Sequence, residues 1–204
     1  RVVKSDAEIK FMKAAAQISQ LGMKKAFEVI SPGTRQCDAI SEIYSTLIKG
    51  TPEFGGDYSS IVPMIPTGKG TSSSHLTWSE DKFVDGEATI IELSGVNKKY
   101  HCPMARTVLL GKPDQKKIDT MKKTNEALQA GIDLVKPGNK ADDVAQAFWK
   151  ILDKYGIEKT SRTGYSIGIG YPPDWGEHTL NISKDDMTIL QPNVTFHMIA
   201  VMQF

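Results

Sequence analysis

Three short stretches hold most of the side chains that could do chemistry. Ser72-Ser73-Ser74-His75-Leu76-Thr77-Trp78 presents an imidazole among small hydroxyls, beside an aromatic ring. An imidazole titrates near neutrality, so such a group can take up or release a proton. Thr89-Ile90-Ile91-Glu92-Leu93-Ser94 carries one acid inside an apolar run. A carboxylate in a buried strand is costly unless it is paired or used. Ile90 shares its face by strand alternation, so that face is not plain solvent. Asp174-Trp175-Gly176-Glu177-His178 follows a Pro-Pro bend and groups two acids, a His and a Trp. Each stretch has a plainer alternative: a solvated loop His, an edge-strand ion pair, and a charged surface turn.

The missing motifs narrow the field. The histidines are His75, His101, His178 and His197, with no HExxH, no paired CxxC and no HxH, so no compact metal motif is present. There is no GxSxG elbow and no Walker loop. Gly164-Tyr165-Ser166-Ile167-Gly168-Ile169-Gly170 imitates a phosphate loop but lacks the Gly-Lys-Ser/Thr ending, and Pro172-Pro173 follows where a helix should start. With 25 basic against 24 acidic residues and a net charge of +1, nothing calls for nucleic acid or an anionic membrane as partner. No apolar run is long enough for a membrane span. The two cysteines, Cys37 and Cys102, make no disulfide framework, which favours a reducing cytoplasm. The opening Arg1-Val2-Val3-Lys4-Ser5-Asp6 reads as the interior of a longer protein.

The elements that must position these residues follow from periodicity. Helical spacing of Ile9, Met12, Ala16, Met23 and Phe27 predicts a helix over 6–30, capped by Ser5 or Asp6 and stopped by Pro32-Gly33. A second helix is predicted over 38–47. Residues 52–74 read as loop with one short strand, 60–65. Buried strands are predicted over 88–93 and 105–110, joined by 95–104. Helices follow over 114–135, stopped by Pro137-Gly138, and over 142–155. The stretch 164–204 is glycine-rich and then strand-like, with Val194, Phe196 and Met198 alternating.

Two stretches match each other. Ile30-Ser31-Pro32-Gly33 leads to Asp38, Ile43, Leu47 and Gly50; Val135-Lys136-Pro137-Gly138 leads to Asp143, Phe148, Leu152 and Gly156. Both read as long helix, Pro-Gly break, Asp-initiated helix and Gly stop. A two-fold repeat of a helix–helix–sheet unit, with halves of about 1–111 and 112–204, is the simplest explanation. It predicts an α+β protein, a single pseudo-symmetric domain with its cleft between the halves.

Arg1-Val2-Val3-Lys4-Ser5, with Glu8-Ile9, Met12 and Ala15-Ala16, resembles the start of the catalytic domain of the creatinase/aminopeptidase P/methionine aminopeptidase superfamily. The resemblance runs along essentially the whole chain. It implies the pita-bread fold, two α/β halves around a curved antiparallel sheet. It also implies an N-terminal domain absent from this chain, and a sheet cut at the C-terminus, in a strand at Phe204. Metallopeptidases of the superfamily hold two metal ions with an Asp, Asp, His, Glu, Glu set. The first four positions fall here at Glu92, Pro103, Tyr165 and Ile199, and the last lies beyond the chain. Proline and isoleucine cannot ligate, and tyrosine is a poor ligand for these metals, so no metal and no cofactor is expected.

Two branches of the superfamily lack metals: creatinase-like hydrolases and non-catalytic peptide-binding relatives. The stretches 74–78, 92–95, 162–177 and 190–198 are similar to the ectoine hydrolases of the first branch. That resemblance implies a hydrolase opening the cyclic amidine of ectoine, a small molecule carrying an amidinium and a carboxylate. Glu92 would act as nucleophile or water-activating base, and His75 as proton shuttle. Glu177 and Asp174 would hold the ring N–H groups. Trp78, Trp175 and Tyr165, with His101, would line the substrate pocket. His75 falls at creatinase's active-site His and Glu177 at one of its guanidinium-binding carboxylates, whereas its other carboxylate falls at Ala105. The resemblance further implies a homodimer and a deacetylase acting on the N-acetyl-2,4-diaminobutyrate product. A creatinase-like enzyme for another guanidine or amidine, or a peptide-binding module, is the alternative.

Overall fold

The computed structural model describes residues 1–159 and 161–200. In chain order the elements are α1 (Asp6–Val29), α2 (Gln36–Lys49), a 3-10 turn (Gly68–Ser72), β1 (Ala88–Asn97), β2 (Tyr100–Leu109), α3 (Gln115–Asp133), α4 (Ala141–Lys154), β3 (Gly164–Tyr171), β4 (Asp174–Ile182) and β5 (Phe196–Met198). No helix among the described residues is long and apolar enough to cross a membrane.

The starts of α1 and α4 and the breaks after α1 and α3 have local causes. Ser5 and Glu8 form a capping box at the start of α1: the Ser5 N–H and hydroxyl both donate to Glu8 Oε2 at 2.7 Å. At α4 the Asp143 carboxylate accepts the Lys140 N–H at 2.8 Å. Gly33 and Gly138 hold the Pro-Gly breaks with φ of 89° and 96°, left-handed values that side chains rarely adopt.

The chain divides into two compact units. One comprises Lys10–Asp114 and Gly168–Trp175; the other comprises Arg1–Ile9, Gln115–Ile167 and the described residues from Gly176 onward. In the first, β1 and β2 form an antiparallel hairpin in register from Ala88↔Leu109 to Asn97↔Tyr100, and Tyr100 also pairs with Ile169 of β3. Ile91 and Leu93 face a core built with Ile18, Ile43, Leu47, Ile65 and Phe83. The α1 helix lies hard against β1 at Gly95, where a Cβ would stand 2.4 Å from the Ala15 carbonyl oxygen and 2.5 Å from the Ser19 nitrogen. Ser19 Oγ uses that proximity, accepting the Gly95 N–H at 2.7 Å and donating to the Cys102 carbonyl at 2.5 Å.

In the second unit, Val144, Phe148 and Leu152 of α4 and Ala127 of α3 enclose a core with Leu180 and Ile182 of β4. There β3 pairs antiparallel with β5, Tyr165 opposite His197. The two Pro-Gly breaks are each tied down by a matching pair of backbone hydrogen bonds. Gly33 N–H donates to Phe83 O while Phe83 N–H donates to Thr34 O, both at 2.9 Å. Gly138 N–H donates to Leu190 O at 2.9 Å while Leu190 N–H donates to Asn139 O at 2.8 Å.

Two expectations are corrected. The strand predicted over 60–65 is irregular chain that pairs with β1 at the isolated bridge Met64↔Glu92, with a second bridge, Thr67↔Thr89, just beyond it. Pro63 and Pro66 have no N–H to extend a ladder. The long connection predicted over 95–104 is instead a tight turn at Lys98 and Lys99, with φ of 51° and 67°. Such a turn normally announces itself by Asn or Gly, and two lysines hid it. The strand ending expected at Phe204 falls outside the described residues.

Candidate functional site

Glu92 stands near the middle of β1, on the face opposite the helical core. Across the ladder its partner is Ala105, and on the other side the Met64 bridge places a second apolar residue beside it. Pro103, opposite Ser94, lies farther along the same face. The residue is only 9% exposed, and burial among these groups pushes its carboxyl up to about 7. A carboxyl so placed is part ionised and part protonated at neutral pH, and can exchange protons in either direction.

His75 lies in an exposed loop after the 3-10 turn, with a φ of 63°. The root of that loop is tied to β1. Thr67 Oγ1 and Thr89 Oγ1 share a hydrogen bond of 2.7 Å, and Ile90 N–H donates to Pro66 O at 3.0 Å. The loop therefore springs from the part of β1 that carries Glu92. Trp78, in the same loop, is 36% exposed and offers a partly open ring face.

His101 and Trp175 are placed differently from the expectation. His101 has no exposed surface. The Ser60 N–H donates to its Nε2 at 2.9 Å with the Ser60 hydroxyl at 3.0 Å, and Nδ1 faces the Lys99 carbonyl at 2.9 Å. Nε2 must be an acceptor, so the proton sits on Nδ1 and the ring is neutral. Burial holds its pKa below the usual value, in keeping with that tautomer. Both nitrogens are used within the protein, and the ring pins residue 60 to the hairpin. Trp175, 1% exposed, packs its backbone close to Gly170, where a Cβ would meet Trp175 Cα at 3.0 Å and His101 Nδ1 at 3.2 Å. Asp174, at the start of β4, is half-buried.

Tyr165 and Glu177 belong to the other unit. Tyr165 and His197 stand side by side on β3 and β5, with Tyr165 Oη 3.1 Å from His197 Nδ1 and the rings edge-on at 5.5 Å. Their neighbours Phe196 and Met198 pack on the helical core, so this pair lies on the face away from the helices. Glu177 Oε2 accepts the Lys4 ammonium at 2.5 Å, and neither side chain meets solvent appreciably. Lys4 also donates to the Arg1 carbonyl at 2.7 Å. Sequence reasoning left out Lys4 and His197. Nothing marks Lys4 as buried, but His197 was accessible to reasoning as the polar residue between Phe196 and Met198.

An open groove of about 690 Å³ along α4, lined by Leu134, Asn139, Gln146, Lys150 and Asp153 among others, contains none of these residues. Its polar groups are partly spent on helix-end contacts, such as Asn139 Nδ2 to the Leu134 carbonyl at 2.8 Å.

Known proteins resemble this chain along nearly its whole length. It is 45% identical over 203 residues to an ectoine hydrolase of Halomonas elongata, which covers 97% of the chain and 51% of that protein. An uncharacterised hydrolase/peptidase of Sinorhizobium fredii is 38% identical, over 98% of the chain and 51% of its own length. The chain thus spans about half the length of these curated relatives. Among solved structures, prolidase from Pyrococcus furiosus superposes with a TM-score of 0.88 at 20% identity, covering 97% of this chain and 57% of that one. The Xaa-Pro dipeptidase from Bacillus anthracis gives 0.84 at 23%, covering 96% and 53%. These likenesses identify the fold as the pita-bread fold of prolidases and aminopeptidases. The description of metallopeptidase family M24 matches residues 10–202, and the chain belongs to that family.

Proposed function

We propose that the protein of which this chain is part hydrolyses the cyclic amidine of ectoine without a metal ion, giving N-acetyl-2,4-diaminobutyrate. The observation that carries the reading is the buried carboxyl of Glu92, pushed up to about 7 on the face of β1 opposite the helical core. The 45% identity to an ectoine hydrolase supports the choice of substrate.

The family's name implies a metal, and the residues around Glu92 do not fit one. Its face neighbours Met64, Ala105 and Pro103 carry neither carboxylate nor imidazole. Among the described residues no three His, Cys, Asp or Glu side chains converge. Hard divalent cations need several oxygen or nitrogen donors.

In the proposed reaction the ionised Glu92 attacks the amidine carbon, or removes a proton from the water that does so. A tetrahedral centre forms, and the bond from that carbon to one ring nitrogen breaks as the nitrogen takes a proton; where Glu92 was the attacking group, water then adds to the same carbon and the Glu92–carbon bond breaks, releasing the carboxylate and leaving the amide. His75 delivers that proton and recovers one from water. The sum is ectoine plus one water, giving one amide and one free amine. Asp174 accepts from the amidinium N–H groups, and Trp78 covers the ring's flat face. Glu177 spends one oxygen on Lys4, which leaves it the weaker cation acceptor of the two. The acetylated product calls for a deacetylase as the next enzyme.

The test uses the full-length protein with ectoine, with and without a chelator, followed by mass spectrometry. Chelator-insensitive gain of one water by the substrate is the expected result, and Glu92→Gln should leave less than a tenth of the turnover. Conversion abolished by the chelator would overturn the metal-free mechanism. No conversion at all would transfer the reading to another amidine or guanidine substrate.

A further inference from the structure

We infer that His101 is a positioning residue for Asp174, holding through the Lys99 carbonyl the segment that carries this carboxylate. The inference rests on the reading above only in giving Asp174 the substrate's amidinium.

Asp174 opens β4, near the end of the segment Gly168–Trp175, which belongs with Glu92 in one compact unit. That segment is fastened to the tip of the β1–β2 hairpin. Tyr100 pairs with Ile169, and the Gly170 N–H donates to the Lys99 carbonyl at 2.9 Å. The same carbonyl accepts from His101 Nδ1 at 2.9 Å. A carbonyl oxygen has two lone pairs, and here the two donors are the imidazole and the backbone of the segment. Gly170 brings these groups close. A Cβ there would stand 3.0 Å from Trp175 Cα, 3.2 Å from His101 Nδ1 and 3.3 Å from the Asp174 carbonyl oxygen. The imidazole and the backbone of 174–175 therefore close around the same missing side chain.

The turn itself needs such support. Lys98 and Lys99 adopt φ of 51° and 67°, values that glycine or asparagine would hold more readily. Lys99 Nζ lies 3.2 Å from the centre of the Tyr58 ring and donates to Asp57 Oδ1 at 2.6 Å, while His101 holds the carbonyl of the same residue. At its other end the imidazole accepts the Ser60 N–H at 2.9 Å. An apolar side chain would fill this buried place without a polar group to desolvate. It would also leave the Lys99 peptide free to turn, and with it the anchor of Gly170.

The test uses the full-length protein with ectoine. His101→Gln places an amide at the distance of Nε2, reaching Ser60 but not Lys99. His101→Asn places one at the distance of Nδ1, reaching Lys99 but not Ser60. Gly170→Ala leaves both histidine bonds in place and presses directly on Trp175 and Asp174. Each is made alone and together with Asp174→Asn. KM and kcat are measured beside amide hydrogen exchange of the 168–175 peptide.

His101→Gln should raise KM roughly 10-fold by misaligning a charge-assisted contact, with kcat changed less than about threefold. Exchange at 168–175 should quicken by about 10-fold or more. His101→Asn should recover most of both. Asp174→Asn should itself raise KM about 10- to 100-fold, and His101→Gln added to it should contribute less than about twofold, because the group it positions is gone. Gly170→Ala should raise KM about threefold or more, with the same loss of effect beside Asp174→Asn, and it carries the test if His101→Gln does not fold.

A merely structural role would multiply KM equally in both backgrounds. That result, or a KM unmoved by both His101→Gln and Gly170→Ala, would overturn the inference. Quicker exchange in His101→Gln, with no ectoine hydrolysed by the wild type, would refute the proposed function and leave the positioning standing. Hydrolysis with an Asp174-dependent KM that neither variant moves would do the reverse. Hydrolysis with a KM that Asp174→Asn leaves unchanged would overturn the inference and the role of Asp174 together.

Discussion

Replacing Glu92 by Gln should stabilise the protein, and the gain should depend on pH. Burial raises this carboxyl from 4.5 to about 7 in the folded chain. Between those values the native state holds its proton more tightly than the unfolded chain does. Folding stability therefore falls as pH rises through that window and levels off above it. A shift of that size corresponds to about 3 kcal/mol above pH 8. At pH 5 most of the penalty is absent, leaving about 1 kcal/mol. Glutamine has nearly the same shape and no ionisation, so Glu92→Gln escapes the penalty at every pH. Urea unfolding of both proteins at pH 5 and pH 8.5 measures the difference. The stability gap should widen by about 2 kcal/mol in favour of the variant, on the order of 1 M in urea midpoint. A gap that stays constant would show that burial does not penalise the ionised form. A gap that reverses would show a cation beside Glu92 that stabilises its charge, and the reasoning about desolvation would fail.

Three further expectations follow from the same geometry. If ionised Glu92 carries the reaction, kcat/KM for ectoine should climb with pH to a plateau, with a midpoint near 7; a flat profile from pH 5.5 to 8.5 would remove Glu92 from that role. His101→Phe should cost about 2–4 kcal/mol in denaturant unfolding, because the Ser60 N–H and the Lys99 carbonyl lose their partner in a buried place; a cost below about 0.5 kcal/mol would refute the pinning role. Lys4→Met and Glu177→Leu should each cost about 3–5 kcal/mol by leaving a buried partner behind, whereas the two together should cost much less than their sum; strict additivity would mean that the pair is not coupled.

The helical half of the fold was legible because periodicity, Pro-Gly breaks and acidic starts all act within one turn of the chain. Asp6–Val29 and Ala141–Lys154 lie within a residue of the spans the sequence predicts. The strands were harder where a backbone conformation carried no compositional mark. Lys98-Lys99 turns the β1–β2 hairpin without Asn or Gly, so a ten-residue ladder read as two short strands. At the site, Glu92 stood out because an acid in an apolar run conflicts with its surroundings. His101 offered no such conflict, and only the contacts with Ser60 and Lys99 reveal its locked tautomer.

The exchange of short segments between the two units limits how this chain can be divided. Gly168–Trp175 lies in the later half of the chain yet belongs with Lys10–Asp114, while Arg1–Ile9 belongs with the later half. A cut in the linker at residue 114 would therefore leave each product short of a piece that its own unit requires. The first product would lack Ile169, the partner of Tyr100, and the second would lack Val3, the partner of Val194. Such halves should be recoverable as a mixture that reassembles, but not as two proteins that fold alone. The order of residues along the chain and the division into compact units are thus two different partitions of the same sequence.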